Sequence, residues 1–167
     1  LANGASGAAP ESEHDWALLQ AAINAVAQEL AQLIIRDAEG AHHFVQVDVT
    51  GCRTRDAAFK IAKAVADSPL VKTAICGADP NWGRVVSAAG YAGVDLKEED
   101  ISLTMNGFLL YEKGTPLPFD AATVSASLRD NRDTHIALTL TLGPDQVRFW
   151  TSDLTKEYVE LNADYTT

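Results

Sequence analysis

Basic residues are scarce in this chain. Thirteen lysines and arginines face 23 aspartates and glutamates, for a formal net charge of −10 and a pI near 4.7. A nucleic-acid groove needs a basic face, so that class of function is excluded, and docking to anionic membranes is disfavoured. Cysteine is almost missing too. Cys52 and Cys76 form neither a metal-binding spacing nor a redox pair, and the expected setting is a reducing cytoplasm. No apolar run approaches the roughly 20 residues that a bilayer span needs. The chain shows no phosphate loop, metal cluster, or Ser/His/Asp or Cys/His constellation. A signal peptide is not evident, and a first residue of Leu rather than Met reads as a processing product or a trimmed fragment. Internal repeats, low-complexity tracts and interdomain linkers are also lacking.

What remains is an ordinary globular composition. Of the 167 residues, 47% are hydrophobic and 22% charged, enough to bury a core in one domain or two small lobes. Residues 3–14 are rich in Gly, Ala, Ser and Glu and read as an exposed loop. From Asp15 to Ile35, Trp16, Leu19, Ile23, Val26, Leu30, Leu33 and Ile34 recur at helical spacing. Phe44 to Thr50 alternates, with Val45, Val47 and Val49 on one face, as in a half-buried strand. Thr54 can cap a second helix that runs to about Asp67 with Ala58, Ile61, Ala62 and Val65 inward. Asn106-Gly107 supplies the positive φ angles of a tight hairpin between 101–105 and 108–112. A short helix is expected over Phe119 to Arg129. Ile136, Leu138, Leu140 and Leu142 form a one-faced strand, and Gly143-Pro144-Asp145 turns the chain into Val147 to Thr151, its expected antiparallel partner. The class is mixed α/β (α+β): helices layered on mixed sheets. The 167 residues are expected to form one unit, divisible into a helix/sheet lobe over about 1–95 and an antiparallel lobe over about 96–167.

The stretch Ser68 to Arg84, S-P-L-V-K-T-A-I-C-G-A-D-P-N-W-G-R, is the most distinctive. Leu70 to Cys76 follows a proline and ends at Gly77, which predicts a buried strand. Lys72 on such a strand is an edge residue or a paired charge, and Cys76 a small core residue. Ala78 to Asn81 makes a turn, and Trp82 opens a helix that fades near Gly90 or Gly93. The free N–H groups at that turn favour an anion; a plain helix cap from Asp79 or Asn81 is the simpler alternative. Trp82 suits the core, and Arg84 an ion pair with an acid of its own fold.

Ser68 to Ala74 and Gly77 to Arg84 resemble the signature of the ornithine acetyltransferase (glutamate N-acetyltransferase) family. Leu1-Ala2-Asn3-Gly4 resembles the end of a family strand, and Arg36-Asp37-Ala38-Glu39-Gly40-Ala41 its R-D-G-E-G-A. Ser152-Asp153-Leu154-Thr155, Tyr158-Val159 and Leu161 to Thr167 resemble its C-terminus. The likeness runs from end to end. It departs at Ala38, usually glycine; at His42-His43, often Thr-Lys; and at Thr166, commonly arginine. An alanine with positive φ at position 38 would cost on the order of 1 kcal/mol. Adjacent histidines entering a strand point to opposite faces and cannot readily share one metal. His14 and His135 show no partner.

The resemblance implies a site. Glu39 matches the family's substrate-binding glutamate, and Asn162 and Thr167 match the asparagine and last threonine of a tail that folds into the active site. Read from residues alone, Glu39 is a solvated loop acid and the polar tail frays. The resemblance also implies that this is the C-terminal part of a β chain in an N-terminal-nucleophile-like architecture completed by an α chain. The nucleophilic threonine would lie upstream of Leu1, so no catalytic residue is expected within these 167. The implied reaction moves an acetyl group from N2-acetylornithine to glutamate in arginine biosynthesis, by a ping-pong mechanism through a covalent acyl-enzyme. The implied assembly has two α and two β chains, without metal or cofactor, and some relatives also take acetyl-CoA. Other readings are a related acetyltransferase of secondary metabolism with another amino-acid acceptor, a non-catalytic partner chain, and a hydrolase of similar design.

Overall fold

The computed structural model describes residues 4–164. Compactness divides the chain into two units, Leu1–Ile34 and Ile35–Thr167. The first is dominated by helix α1, Glu13–Arg36, which opens on the acids Glu13 and Asp15, at the end where the helix dipole favours them. None of its residues is buried, and the expected stripe Trp16, Leu19, Ile23, Val26, Leu30, Leu33 and Ile34 is exposed throughout. Contrary to the sequence reading, α1 is long and apolar enough by length and composition to cross a membrane. Those two properties alone assign no membrane, because a helix packed against other protein meets the same test.

The second unit is built on one six-stranded sheet in the order β4-β3-β2-β5-β1-β6. The strands are β1 Phe44–Cys52, β2 Ser102–Met105, β3 Phe108–Glu112, β4 Thr115–Pro116, β5 Asp133–Thr139 and β6 Asp145–Ser152. β1 runs parallel to β5 and every other pairing is antiparallel. Strands from both sides of residue 95 thus share one sheet. Alternation fixes the buried face. Val47 sits between Ile136 and Phe149, with Met105 beyond Ile136; Val49 sits between Leu138 and Val147, with Leu103 beyond Leu138. Helix α2, Arg55–Asp67, is capped by Thr54 and lays Ala58, Ile61, Ala62 and Val65 on β1 and β6. α3, Pro69–Cys76, and α4, Trp82–Gly90, pack beside it. α5 is Ala121–Arg129, capped by Asp120, and α6 is Lys156–Ala163.

Two expectations are corrected. Leu70 to Cys76 is helix α3, not a strand: Ser68 caps it through Val71 N–H and Pro69 occupies its first turn, a helix-start signal that outranks a short apolar run. The partner of β6 is β1, not β5. The connection after β5 crosses the end of β1, where the amides of Leu140, Leu142 and Gly143 donate to Thr50 and Gly51 carbonyls. Gly51 permits this crossing; at φ +79°, a Cβ there would lie 1.9 Å from the Leu140 oxygen. The hairpin forms as expected, with Asn106 and Gly107 both at positive φ. Positive φ falls on Ala78 and Gly40 rather than on Ala38, so the departure from glycine at 38 carries no strain.

Candidate functional site

Glu39 sits at the tip of the turn between α1 and β1. Ala41 N–H donates to the Ala38 carbonyl, and Gly40 adopts φ +65°. The turn is held from one side by the segment that leaves β6. The Asp153 side chain is wholly buried; its Oδ1 accepts from the amides of His42 (2.9 Å) and His43 (3.0 Å), and its Oδ2 lies 2.8 Å from His43 Nδ1. Two residues on, Thr155 Oγ1 donates to the Gly40 carbonyl and accepts from Tyr158 N–H at 3.0 Å, capping α6. Gly40 is needed here for space as well as for φ, since a Cβ would stand 2.7 Å from Tyr158 N. The turn and the start of α6 are therefore zipped together.

The third wall is the α2–α3 junction, where Leu154 N–H meets the Lys72 carbonyl at 3.4 Å. Ala38, Glu39, Asp67, Pro69, Lys72, Ser152 to Leu154 and Tyr158 line a hollow of about 390 Å3, a size that suits a small molecule. Its rim carries both signs of charge. Glu39 is exposed, and Asp67 is paired with Lys63. Lys72 lies on α3 rather than on a strand, and no described acid is within ion-pair distance of it. Carboxylates with an unpaired ammonium suit a zwitterion such as an amino acid.

Asn162 is exposed on α6 and donates from Nδ2 to the Tyr158 carbonyl at 2.8 Å. It lies one turn beyond the tyrosine that lines the Glu39 hollow but is not itself part of the lining. Thr167 and Thr166 fall outside the described residues, as do Leu1, Ala2 and Asn3. Sequence reasoning did not single out Asp153, Thr155, Tyr158 or Lys72 for this site. The available signal was Asp153-Leu154-Thr155 before a helix, an acid followed by a capping threonine.

The histidines are strand-end residues, as expected: His42 Nε2 is 3.2 Å from Glu157, and His43 is paired with Asp153. His135 also has a partner, Asp48, which Arg148 grips through two nitrogens. Among the described residues no group of three or more His, Cys, Asp and Glu could hold a metal. In the signature stretch Asn81 Oδ1 accepts from Arg84 N–H, so the turn's amide serves a helix cap. The Arg84 side chain donates to the Leu70 carbonyl at 2.9 Å rather than pairing with an acid. Trp82 is half-buried and stacks on Tyr111, with ring centroids 5.2 Å apart. Cys76 closes α3 half-exposed, and Cys52 is buried. Burial pushes both thiols above their ordinary range, so neither is an activated nucleophile.

The ArgJ family model matches residues 1–167. The arginine biosynthesis bifunctional protein ArgJ of Rhodopirellula baltica is 51% identical over 148 residues, 89% of this chain and 36% of its own length. The chloroplastic ArgJ of Populus trichocarpa is 42% identical across 100% of this chain, again 36% of its own length. The crystal structure of the ArgJ protein from Bacillus halodurans superposes with a TM-score of 0.88 at 36% identity, over 95% of this chain and 74% of that one. The chain thus spans little more than a third of these curated relatives. By sequence along its whole length and by fold, the chain belongs to the ArgJ family.

Proposed function

We propose that this chain supplies the amino-acid-binding part of an acetyltransferase of arginine biosynthesis, acting with the remainder of a longer protein. The observation that carries the reading is the hollow in which Glu39, at the tip of its turn, meets the segment that opens α6. The substrates are N2-acetylornithine as donor and glutamate as acceptor. Glu39 complements an ammonium: the distal one of acetylornithine, or the α-ammonium of arriving glutamate. Lys72 complements the carboxylate that both substrates carry. Asn162 and Thr167 close the site from the tail.

The nucleophile is a threonine outside these 167 residues, exposed by self-cleavage of a precursor into α and β chains that assemble two and two. Its Oγ bonds to the acetyl carbonyl carbon, donors on the α chain steady the oxyanion, and the amide C–N bond breaks as the departing amine takes a proton. The amine of glutamate then attacks the threonyl ester, forming N2-acetylglutamate and returning the proton to threonine. Acetyl-CoA could serve as a second donor in a bifunctional enzyme, and no metal or other cofactor takes part. The proposed location is the cytoplasm.

The test is steady-state assay of the complete gene product with acetylornithine and glutamate, paired with its intact mass. Acetylglutamate formation with parallel double-reciprocal lines, and two chains of which the second begins at threonine, are expected. An uncleaved protein without transfer would refute the proposal.

A further inference from the structure

The contact between His43 and Asp153 does more than close a strand end. His43 Nδ1 faces the Asp153 carboxylate at 2.8 Å, and Nε2 faces the Leu128 carbonyl at 3.1 Å. Both partners can only accept: one is an ionised carboxylate, the other a backbone oxygen. A neutral imidazole has a single N–H and would turn its remaining lone pair on one of them. The geometry therefore calls for hydrogens on both nitrogens. Leu128 lies in the last turn of α5, where the helix dipole also favours a cation.

Other charges around the pair come from several elements. Arg129 at the end of α5 and Arg132 before β5 line the hollow that His42, His43 and Cys76 share. Lys156 and Glu157 stand on the first turn of α6, and Glu157 is occupied by His42. The hydrogen bond to Asp153 is the leading influence that raises the His43 pKa, opposed by burial. Burial works to raise the Asp153 pKa, but the hydrogen bonds from His43 and from the amides of His43 and His42 outweigh it and hold it low.

Asp153 is also the acceptor that ties the Glu39 turn to the start of α6. We infer that His43 is a positioning residue whose imidazolium, held between Asp153 and the Leu128 carbonyl, clamps the two walls of the Glu39 hollow together, so that loss of its proton loosens amino-acid binding. This inference rests on the proposed site at Glu39, yet it can fail separately. Loss of the proton from Nε2 leaves the Leu128 carbonyl facing a lone pair, and the bond that Nδ1–H keeps to Asp153 loses the positive charge on its donor. The walls then separate without touching the absent nucleophile, so the effect falls on KM and not on kcat.

The experiment measures KM and kcat for both amino-acid substrates between pH 6 and 9.5 in the complete enzyme, its His43→Lys variant and its His43→Gln variant. In the wild type KM should rise about tenfold on the alkaline side at steady kcat, as expected for one charge-assisted hydrogen bond. His43→Lys, which keeps its charge to about pH 10.4, should hold KM low and flat. His43→Gln should show raised KM at every pH. Nitrogen-15 NMR of the wild-type imidazole supplies a reading that needs no variant and no activity. Both ring nitrogens should stay protonated to a pH above the ordinary value of about 6.5. A wild-type KM profile in either variant, or a His43 that titrates at or below that value, overturns the clamp. Absence of transacetylation in the wild type sinks the site proposal instead, and leaves the NMR titration to judge the clamp.

Discussion

Helices α1 and α2 carry the same kind of pattern and have opposite fates. Each repeats apolar residues at helical spacing. α2 buries its stripe of Ala58, Ile61, Ala62 and Val65 against the sheet. In α1 no residue is buried, and Ile23, Val26 and Leu30 are each more than half exposed. Periodicity specifies that a helix has an apolar face; it does not specify what that face meets. The same contrast separates the turn at Glu39 from α1 itself. The turn is tied by Asp153 and Thr155 to the far end of the chain, whereas among the described residues α1 makes no such long-range hydrogen bond before Arg36.

The largest test of that contrast is a pair of truncations in the 167-residue chain. Ile61→Ala should cost about 3 kcal/mol, because it removes a wholly buried side chain. Ile23→Ala should change stability by less than about 0.5 kcal/mol. Urea unfolding of both would erase the comparison if the two costs were equal. Gly40→Ala comes next, at roughly 1 to 2 kcal/mol for positive φ. Its Cβ must also push the start of α6 from the turn, so KM in the complete protein should rise while α1 helicity by circular dichroism stays unchanged.

Thr155→Ala should cost about 1 kcal/mol as the loss of a cap. The pH dependence sharpens the point further. The His43 pKa is raised in the fold, so its contribution is whole below about pH 6.5 and is lost as pH climbs through the higher folded value. The Asp153 pKa is depressed, so its contribution is present above about pH 3.9 and disappears as pH falls through the lower folded value. Urea midpoints should therefore be highest between these limits, and His43→Lys should abolish the alkaline decline. The smallest effect expected is at Arg36–Asp133, a bidentate but exposed pair; Asp133→Asn should cost under about 1 kcal/mol, less at high salt.

Local chemistry was legible wherever one residue decides the backbone. Thr54, Asp120 and Asn106-Gly107 act as their types require. The misassigned stretch, Leu70 to Cys76, shows the limit of that reading. Seven apolar-rich residues suit a buried strand or a short helix equally, and Ser68-Pro69 decided for helix. That change matters for the site, because it moves Lys72 to the rim of the Glu39 hollow. The pairing of β6 with β1 could not be read from neighbouring turns, since register between distant strands depends on the whole sheet. Glu39 was found only through its resemblance to a family motif; a loop acid has no local signature. Asp153 escaped notice because its partners, His42 and His43, lie 111 and 110 residues away.

The central claim is that the Glu39 turn and the segment opening α6 form a single amino-acid-binding site. The most direct measurement is transacetylation kinetics of the complete protein bearing Glu39→Ala, with thermal unfolding as the control for folding. The account predicts a fall in kcat/KM of about a hundredfold or more, the scale of a lost charge-assisted contact to substrate, at an unchanged melting temperature. Wild-type kcat/KM in that variant would contradict it.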